Sequence, residues 1–303
     1  MPLHCWSSEK YAIPLPDGHR FPMAKYALLR EGALARGLVR AGATLHEPAR
    51  VTHEDLHRVH AAHYVAAIEH GTLDAAAQRR IGLPWSEAFV ERAFRVANGT
   101  VAAMAHAVDH GVAMNLAGGT HHAHADFGEG FCVFNDVAIA VRRLQHDGVA
   151  RRVCIVDCDV HQGNGTNAIF AGDDDVFTLD LHGEKNFPFR KTPATRDVPL
   201  ADGTGDDAYL DALRRELPRA LAAARPDLVV YLAGADPHEG DRLGRLRLTF
   251  DGLAARDEHV LATCREVGVP VGITIAGGYG RDVRDTVRVH LATVAIAARH
   301  AAS

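Results

Sequence analysis

Residues Arg152 to Thr166 constrain this chain more than any other stretch. Val153, Cys154, Ile155 and Val156 form a short apolar run. Such a run reads as a strand buried on both faces, and therefore as part of a parallel sheet. Its C-terminal end carries Asp157, Asp159 and His161. In extended geometry side chains alternate with period two, so these three are expected on one face. Carboxylate with imidazole is a donor set for zinc or a similar divalent ion. Ideal strand rise separates the first from the last by about 13 Å, so two are expected on one ion and the third elsewhere. Gly163 and Gly165 let the backbone turn just beyond. A lone Asp-x-His would more simply cap a helix or pair with an arginine; three such groups at one strand end favour a metal.

Along the chain, apolar stripes and short apolar runs alternate. Residues 1–24 read as loop with one short strand, since Pro2, Pro14, Pro16, Gly18 and Pro22 fall there. A helix is expected from Met23 to Ala41, stopped by Gly42. Another opens at Thr52, a capping residue followed by Glu54 and Asp55. His57, His60 and His63 follow at spacing three and read as solvent-facing, because Leu56, Val59, Tyr64 and Ile68 already define the buried stripe. Residues 71–87 read as a loop-rich connection. Val90, Phe94, Ala97, Val101, Met104, Ala105 and Val108 mark a long helix ending at Gly111. Further helices are expected at 135–144, 207–224 (with a kink at Pro218), 251–266 and 284–300. Further strands are expected at 112–117, 176–181, 228–232 and 271–275. The alternation predicts one α/β domain over residues 1–303, an open, mostly parallel sheet with helices on both faces.

Composition excludes several classes. The net charge of −5 gives no nucleic-acid surface. No apolar run approaches ~20 residues, so no membrane span is expected, and Met1 onward lacks the pattern of a signal peptide. The five cysteines are scattered, with no Cys-x-x-Cys. They read as reduced thiols, so a cytoplasmic location is expected.

Four strand ends carry polar or glycine-rich sequence: 118–124, 157–165, 234–241 and 276–280. In a parallel sheet they share one edge, where ligands of α/β proteins bind. Gly119-Thr120-His121-His122-Ala123, Gly130-Phe131-Cys132, Asn135-Asp136, the run Asp157 to Gly165, Ala233-Gly234-Ala235-Asp236 and Gly277-Gly278-Tyr279 resemble, in order, the motifs of the zinc-dependent histone deacetylase family, on the arginase-deacetylase fold. Glu239 to Gly244 and Arg256-Asp257-Glu258 are most similar to its class IV branch, the group of histone deacetylase 11. His19 to Tyr26 resembles compact prokaryotic members.

The resemblance implies a zinc ion on Asp159, His161 and Asp236. It implies a potassium ion at Asp157, Asp180 and Leu181, which accounts for the distant third ligand. His121 and His122 match a general base and acid pair, with Asp157 and Asn164 as their respective partners. Tyr279 matches the residue that polarises the amide carbonyl. Phe131, with Phe187 or Phe189, and Gly130, Gly277 and Gly278 match the walls of a tunnel for an acyl-lysine stem. The implied reaction is hydrolysis of acyl groups from lysine in a protein or peptide. Asn164 stands where class I relatives carry aspartate, and a neutral amide cannot raise an imidazole's pKa as a carboxylate would; as a simpler reading, Asn164 caps a helix starting near Thr166. His124 and Asp126 match no family role and read as exposed loop residues, and Cys158 is expected to point away from the metal. An acetylpolyamine amidohydrolase shares this chemistry. An arginase-like ureohydrolase needs further acids for a second metal, and Gly163 and His238 stand where these would be. A catalytically dead scaffold is disfavoured, since every expected catalytic residue is present.

Overall fold

The apolar runs form strands and the stripes form helices that cross between them. The structure is a computed structural model and describes residues 1–302. The first half runs β1 (His4–Trp6), α1 (Ala24–Ala35), β2 (Leu45–His46), α2 (His53–His57), α3 (Ala62–His70), α4 (Ala75–Ile81), α5 (Glu87–His110) and β3 (Val112–Asn115). The second runs α6 (Asp136–His146), β4 (Val153–Asp157), α7 (Asn164–Ile169), β5 (Val176–Gly183), β6 (Arg196–Leu200), α8 (Asp206–Ala224), β7 (Leu228–Leu232), α9 (Phe250–Glu266), β8 (Val271–Thr274) and α10 (Val283–Ala302).

The eight strands form one sheet in the order β2-β1-β3-β8-β7-β4-β5-β6, and every pairing is parallel. A parallel sheet needs both faces covered, and strand alternation supplies both cores. Cys154, Val156, Val229 and Tyr231 pack with α1, α8, α9 and α10 on one face. Val153, Ile155, Leu228, Val230 and Leu232 pack with α2, α3, α5 and α6 on the other. The single α/β sheet with helices on both faces is thus the expected architecture.

Several local expectations need correction. The first helix ends at Ala35, not Ala41; the chain leaves it through Arg36 and Gly37, whose φ of 66° unwinds the turn before Gly42 is reached. Thr52 caps α2 as expected, accepting from Asp55 N, but α2 closes at His57 and α3 is a separate helix. His57 and His63 are exposed, whereas His60 is buried, because its Nε2 accepts the backbone N–H of Asn135 at 2.9 Å. Residues 75–81 form α4, capped by Asp74, inside the stretch expected to be loop. β2 and β6 were not expected; both are short edge strands. Pro218 lies within an unbroken α8.

One buried ion pair joins the layers near the C-terminal edge of the sheet. Arg256 on α9 is fully buried, and its guanidinium lies 2.8 Å from Asp257. Its Nη1 donates to Cys158 O at 3.2 Å and Gly234 O at 2.7 Å, one carbonyl after β4 and one after β7. Asp257 accepts from Tyr231 Oη (2.5 Å) and Thr293 Oγ1 (2.6 Å). Removing one partner of such a pair leaves a buried uncompensated charge. Arg256→Met should therefore cost about 3–5 kcal/mol, read from the urea midpoint; an unchanged midpoint would show that packing alone holds these turns.

Candidate active site

β3, β8, β7, β4 and β5 are consecutive in the sheet, and the register pairs Asp157 with Leu232 and with Asp180, and Leu232 with Thr274. The turns that follow these strands therefore meet. β4 stops at Asp157, so Asp159 and His161 lie in a bend rather than on one extended face. The bend is what brings both to one point: Asp159 Oδ1 accepts from His161 N at 2.9 Å and lies 2.9 Å from His161 Nδ1.

Asp236 completes this group. Ligand atoms of Asp159, His161 and Asp236 all lie within 4.8 Å of one another, and all three residues are buried. Asp159 Oδ2 accepts from Gly277 N (2.7 Å), and Asp236 Oδ1 from Val160 N (2.9 Å). Asp236 Oδ2 has no hydrogen-bond donor, although it lies 3.2 Å from His161 Nδ1. Burial and the Asp159 charge push the Asp236 carboxyl up to about 7. Burial alone would depress His161, but its contacts with Asp159 and Asp236 lift it to about 10. The pocket thus draws a proton to the point between two carboxylates and an imidazole nitrogen. A divalent cation fits the same point, with a donor set suited to zinc.

The loop bearing His121 and His122 is fixed by α6. Asp136 accepts from Gly119 N (3.0 Å) and Thr120 N (2.7 Å), and Asn135 donates to Ala123 O (3.0 Å). The two imidazoles lie 4.2 Å apart between ring centres and are both buried. His121 Nδ1 lies 2.6 Å from Asp157 Oδ2. Burial would lower His121, but Asp157 and then Asp159 overcome it and raise it to about 9. His122 Nδ1 lies 2.8 Å from Asn164 Oδ1. Burial, and the charges of His121 and His161, hold His122 well below its ordinary value.

Asn164 does not cap a helix: Gly163 holds the cap position of α7, and the amide is turned to His122. Its Nδ2 donates to Glu129 Oε1 at 2.6 Å and lies 3.0 Å from His124 Nε2. The carboxylate can only accept, so it fixes the amide's orientation. The amide oxygen then faces His122, whose Nδ1 must carry hydrogen and whose Nε2 keeps its lone pair. Glu129 was missed by sequence reasoning, though it directly precedes Gly130. His124, expected to be exposed, is half-buried by this contact and by stacking on Phe127; Asp126 is exposed.

Tyr279 is held by its backbone, its N–H donating to Asp241 Oδ2 at 2.6 Å, and its ring meets His161 edge-on at 6.2 Å. Burial and the charges of Asp159 and Asp236 keep its phenol protonated. Phe131 lies 5.7 Å from the Tyr279 ring. Phe187 stands edge-on to His122 at 4.9 Å, whereas Phe189 is 87% exposed at the rim. An outer cavity of about 570 Å³ reaches His122, His161 and Tyr279 from the surface, and an inner one of about 70 Å³ continues behind them. Two glycines are sterically required. A Cβ at Gly130 (φ 57°) would stand 2.7 Å from His122 Cδ2, and one at Gly277 would collide with Asp236 Oδ2. Gly278 follows directly, packed against Ala235 and Thr286.

Asp157, at the end of β4, pairs with Asp180 within β5, and Leu181 is buried next to them. Asp180 Oδ2 accepts from Gly163 N (2.9 Å) and Asn167 Nδ2 (3.0 Å). Asp180, His182 and Asp197 form a second group with clustered donor atoms; His182 and Asp197 were not singled out from sequence. Cys158 is buried on the sheet face opposite α5, and all five cysteines are free and buried.

This is an all-parallel α/β fold with a metal-type donor set and two imidazoles gathered at its strand ends. Residues 19–294 match the family model for the histone deacetylase domain. An uncharacterized protein of Picosynechococcus sp. is 46% identical over 280 residues, 92% of this chain and 93% of its own length. The histone deacetylase-like amidohydrolase of Pseudomonas aeruginosa is 33% identical over 244 residues, 75% of this chain and 63% of its own. The chain spans about half of the plant relative, histone deacetylase 2 of Arabidopsis thaliana, at 36% identity over 184 residues, 60% of this chain and 48% of that protein. Among solved structures, a histone deacetylase homologue of Aquifex aeolicus superposes with a TM-score of 0.86 at 23% identity, over 99% of this chain and 84% of that one; it attests the fold. The chain belongs to the histone deacetylase family.

The His121–Asp157 contact generates a direct test. In metal-free protein, Asp157→Asn should bring the His121 titration down from about 9 toward the ordinary histidine range. Imidazole ¹H–¹⁵N spectra read this; a midpoint that stays near 9 would assign the effect to Asp159 instead.

Proposed function

We propose that the chain is a zinc-dependent lysine deacylase working as one catalytic domain over residues 1–303. The observation that carries this reading is the pair of adjacent imidazoles with unlike partners, His121 on Asp157 and His122 on Asn164, beside the buried Asp159, His161 and Asp236. These three residues would hold the zinc, which supplies Lewis acidity toward the acyl carbonyl and toward an attacking water. His122 Nε2 takes the proton from that water, since Nδ1 is committed to Asn164. His121, charged against Asp157, contributes electrostatically. The Tyr279 hydroxyl donates to the carbonyl oxygen as negative charge grows there. His122 then gives its proton to the leaving amine. Phe131 and Phe187 flank the stem of the acyl-lysine, with Phe189 at the entrance; Gly130, Gly277 and Gly278 leave it room.

A potassium ion at Asp157, Asp180 and the Leu181 carbonyl would offset the paired acids behind His121 and keep the β4 turn in shape. Affiliation with the class IV branch rests on Glu239 to Gly244 and Arg256 to Glu258. Two of those residues support the site: Asp241 accepts from Tyr279 N, and Arg256 braces the carbonyls before Asp159 and Asp236. A two-metal ureohydrolase is disfavoured. Gly163 packs against Asp157 with no room for an acid, and His238 packs at a tilt against Phe250, 4.2 Å between ring centres.

The reading is tested by acyl-lysine peptide turnover with metal analysis. Wild type should carry one zinc per chain, and Asp159→Ala or Asp236→Ala should lose most metal and activity. Tyr279→Phe should keep its zinc while kcat falls by about 10²–10³-fold. Full zinc occupancy in both aspartate variants, or an unchanged kcat in Tyr279→Phe, would reject the assignment.

Asn164→Asp places a carboxylate against His122 and should raise its basicity. A base with a higher pKa loses its free form at a higher pH, so the acidic limb of the kcat/KM profile should move upward. Profiles measured at matched zinc content check this; a limb that stays put would show that residue 164 does not tune the base.

A further inference from the structure

The mouth of the site carries a charge opposite in sign to the chain's. The whole sequence has a net charge of −5. The outer cavity is lined by Arg20, Arg79, Arg80, Lys185 and Arg245, against the single carboxylate of Glu129. Glu129 is already engaged, by the Asn164 amide and by His124 at 3.8 Å. Arg245 is partly offset by Asp202 at 3.2 Å. Among the described residues no carboxylate lies within ion-pair distance of the side chains of Arg20, Arg79, Arg80 or Lys185.

These cations come from four separate segments: the loop before α1, the last turn of α4, the turn after β5 and the loop between β7 and α9. Arg79 and Arg80 also suit the C-terminal end of α4, but that does not account for Arg20, Lys185 and Arg245. All five are exposed around one opening. Charges of one sign around a low-dielectric cleft focus the field on whatever enters it.

We propose that the mouth selects acyl-lysine segments whose flanking residues are acidic. This deepens the deacylase reading above and rests on it. The acylated side chain is neutral, so the flanks decide the electrostatics of docking. The same mouth repels a monoacylated polyamine, whose remaining amines are cationic. Rim charges act chiefly on encounter and are screened by salt, so the preference should appear in kcat/KM and weaken as ionic strength rises.

The experiment compares acyl-lysine peptides of one length carrying glutamate, alanine or lysine flanks, together with N-acetylputrescine, on zinc-loaded enzyme. The acidic peptide should exceed the lysine-flanked one by about tenfold or more in kcat/KM at low salt, and the ratio should shrink toward 1 at ~0.5 M salt. The variant Arg79→Glu/Lys185→Glu should abolish or invert the ratio. Arg36→Glu/Arg40→Glu makes the same change in net charge outside the mouth and should keep it. Turnover of the alanine-flanked peptide with no preference for acidic flanks, or the same loss of preference in both double variants, overturns this inference and leaves the deacylase reading standing. No turnover of any peptide by zinc-loaded enzyme overturns both.

Discussion

Two carboxylates and an imidazole are buried at one point, and the rest of the structure is arranged to tolerate it. Asp159 and Asp236 are almost wholly removed from solvent, and one oxygen of Asp236 has no donor. Burying like charges together is unfavourable unless a cation or a proton joins them. Every other oxygen of the pair accepts a backbone N–H, from Val160, His161 or Gly277. Backbone donors cannot swing away, so the one oxygen left over faces only the His161 imidazole, at 3.2 Å.

That arrangement is held from behind by the opposite kind of group. The Arg256 guanidinium touches the carbonyls of Cys158 and Gly234, each one or two residues before a carboxylate of the site. Asp257 neutralises it, and Tyr231 and Thr293 hold Asp257. A single polar cluster thus connects β4, β7, α9 and α10 across the core. Distortion of any of them is transmitted to the turns that carry Asp159 and Asp236.

The sequence disclosed what depends on period and order. Apolar runs such as Leu228–Leu232 gave strands to the residue, and the alternation with stripes gave a sheet with helices on both faces. It disclosed less where geometry departs from period. The bend after Asp157 breaks strand alternation and groups Asp159 with His161 locally, whereas Asp236 joins them only through the fold. His60 follows a solvent-facing spacing yet is buried, because a loop far along the chain offers Asn135 N–H as its donor. Edge strands β2 and β6 lack apolar runs of their own and exist by pairing with a neighbour. Glu129 and His124 acquire their contacts only when the loop at 124–130 closes over Asn164, and no local pattern signals that.

The two unanticipated edge strands also bear on how the protein behaves in company. An open sheet offers unpaired N–H and C=O groups at both margins, which invites another chain to add a strand. Here one margin is β2, only two residues long. The other, β6, contains Pro199, which has no N–H to offer, and the exposed Arg196, which carries charge to the rim. A eight-stranded parallel sheet is thus closed at its ends by brevity on one side and by proline and charge on the other. The same margin that shields against aggregation is the one from which Asp197 reaches inward to Gln162, beside the bend that carries Asp159 and His161.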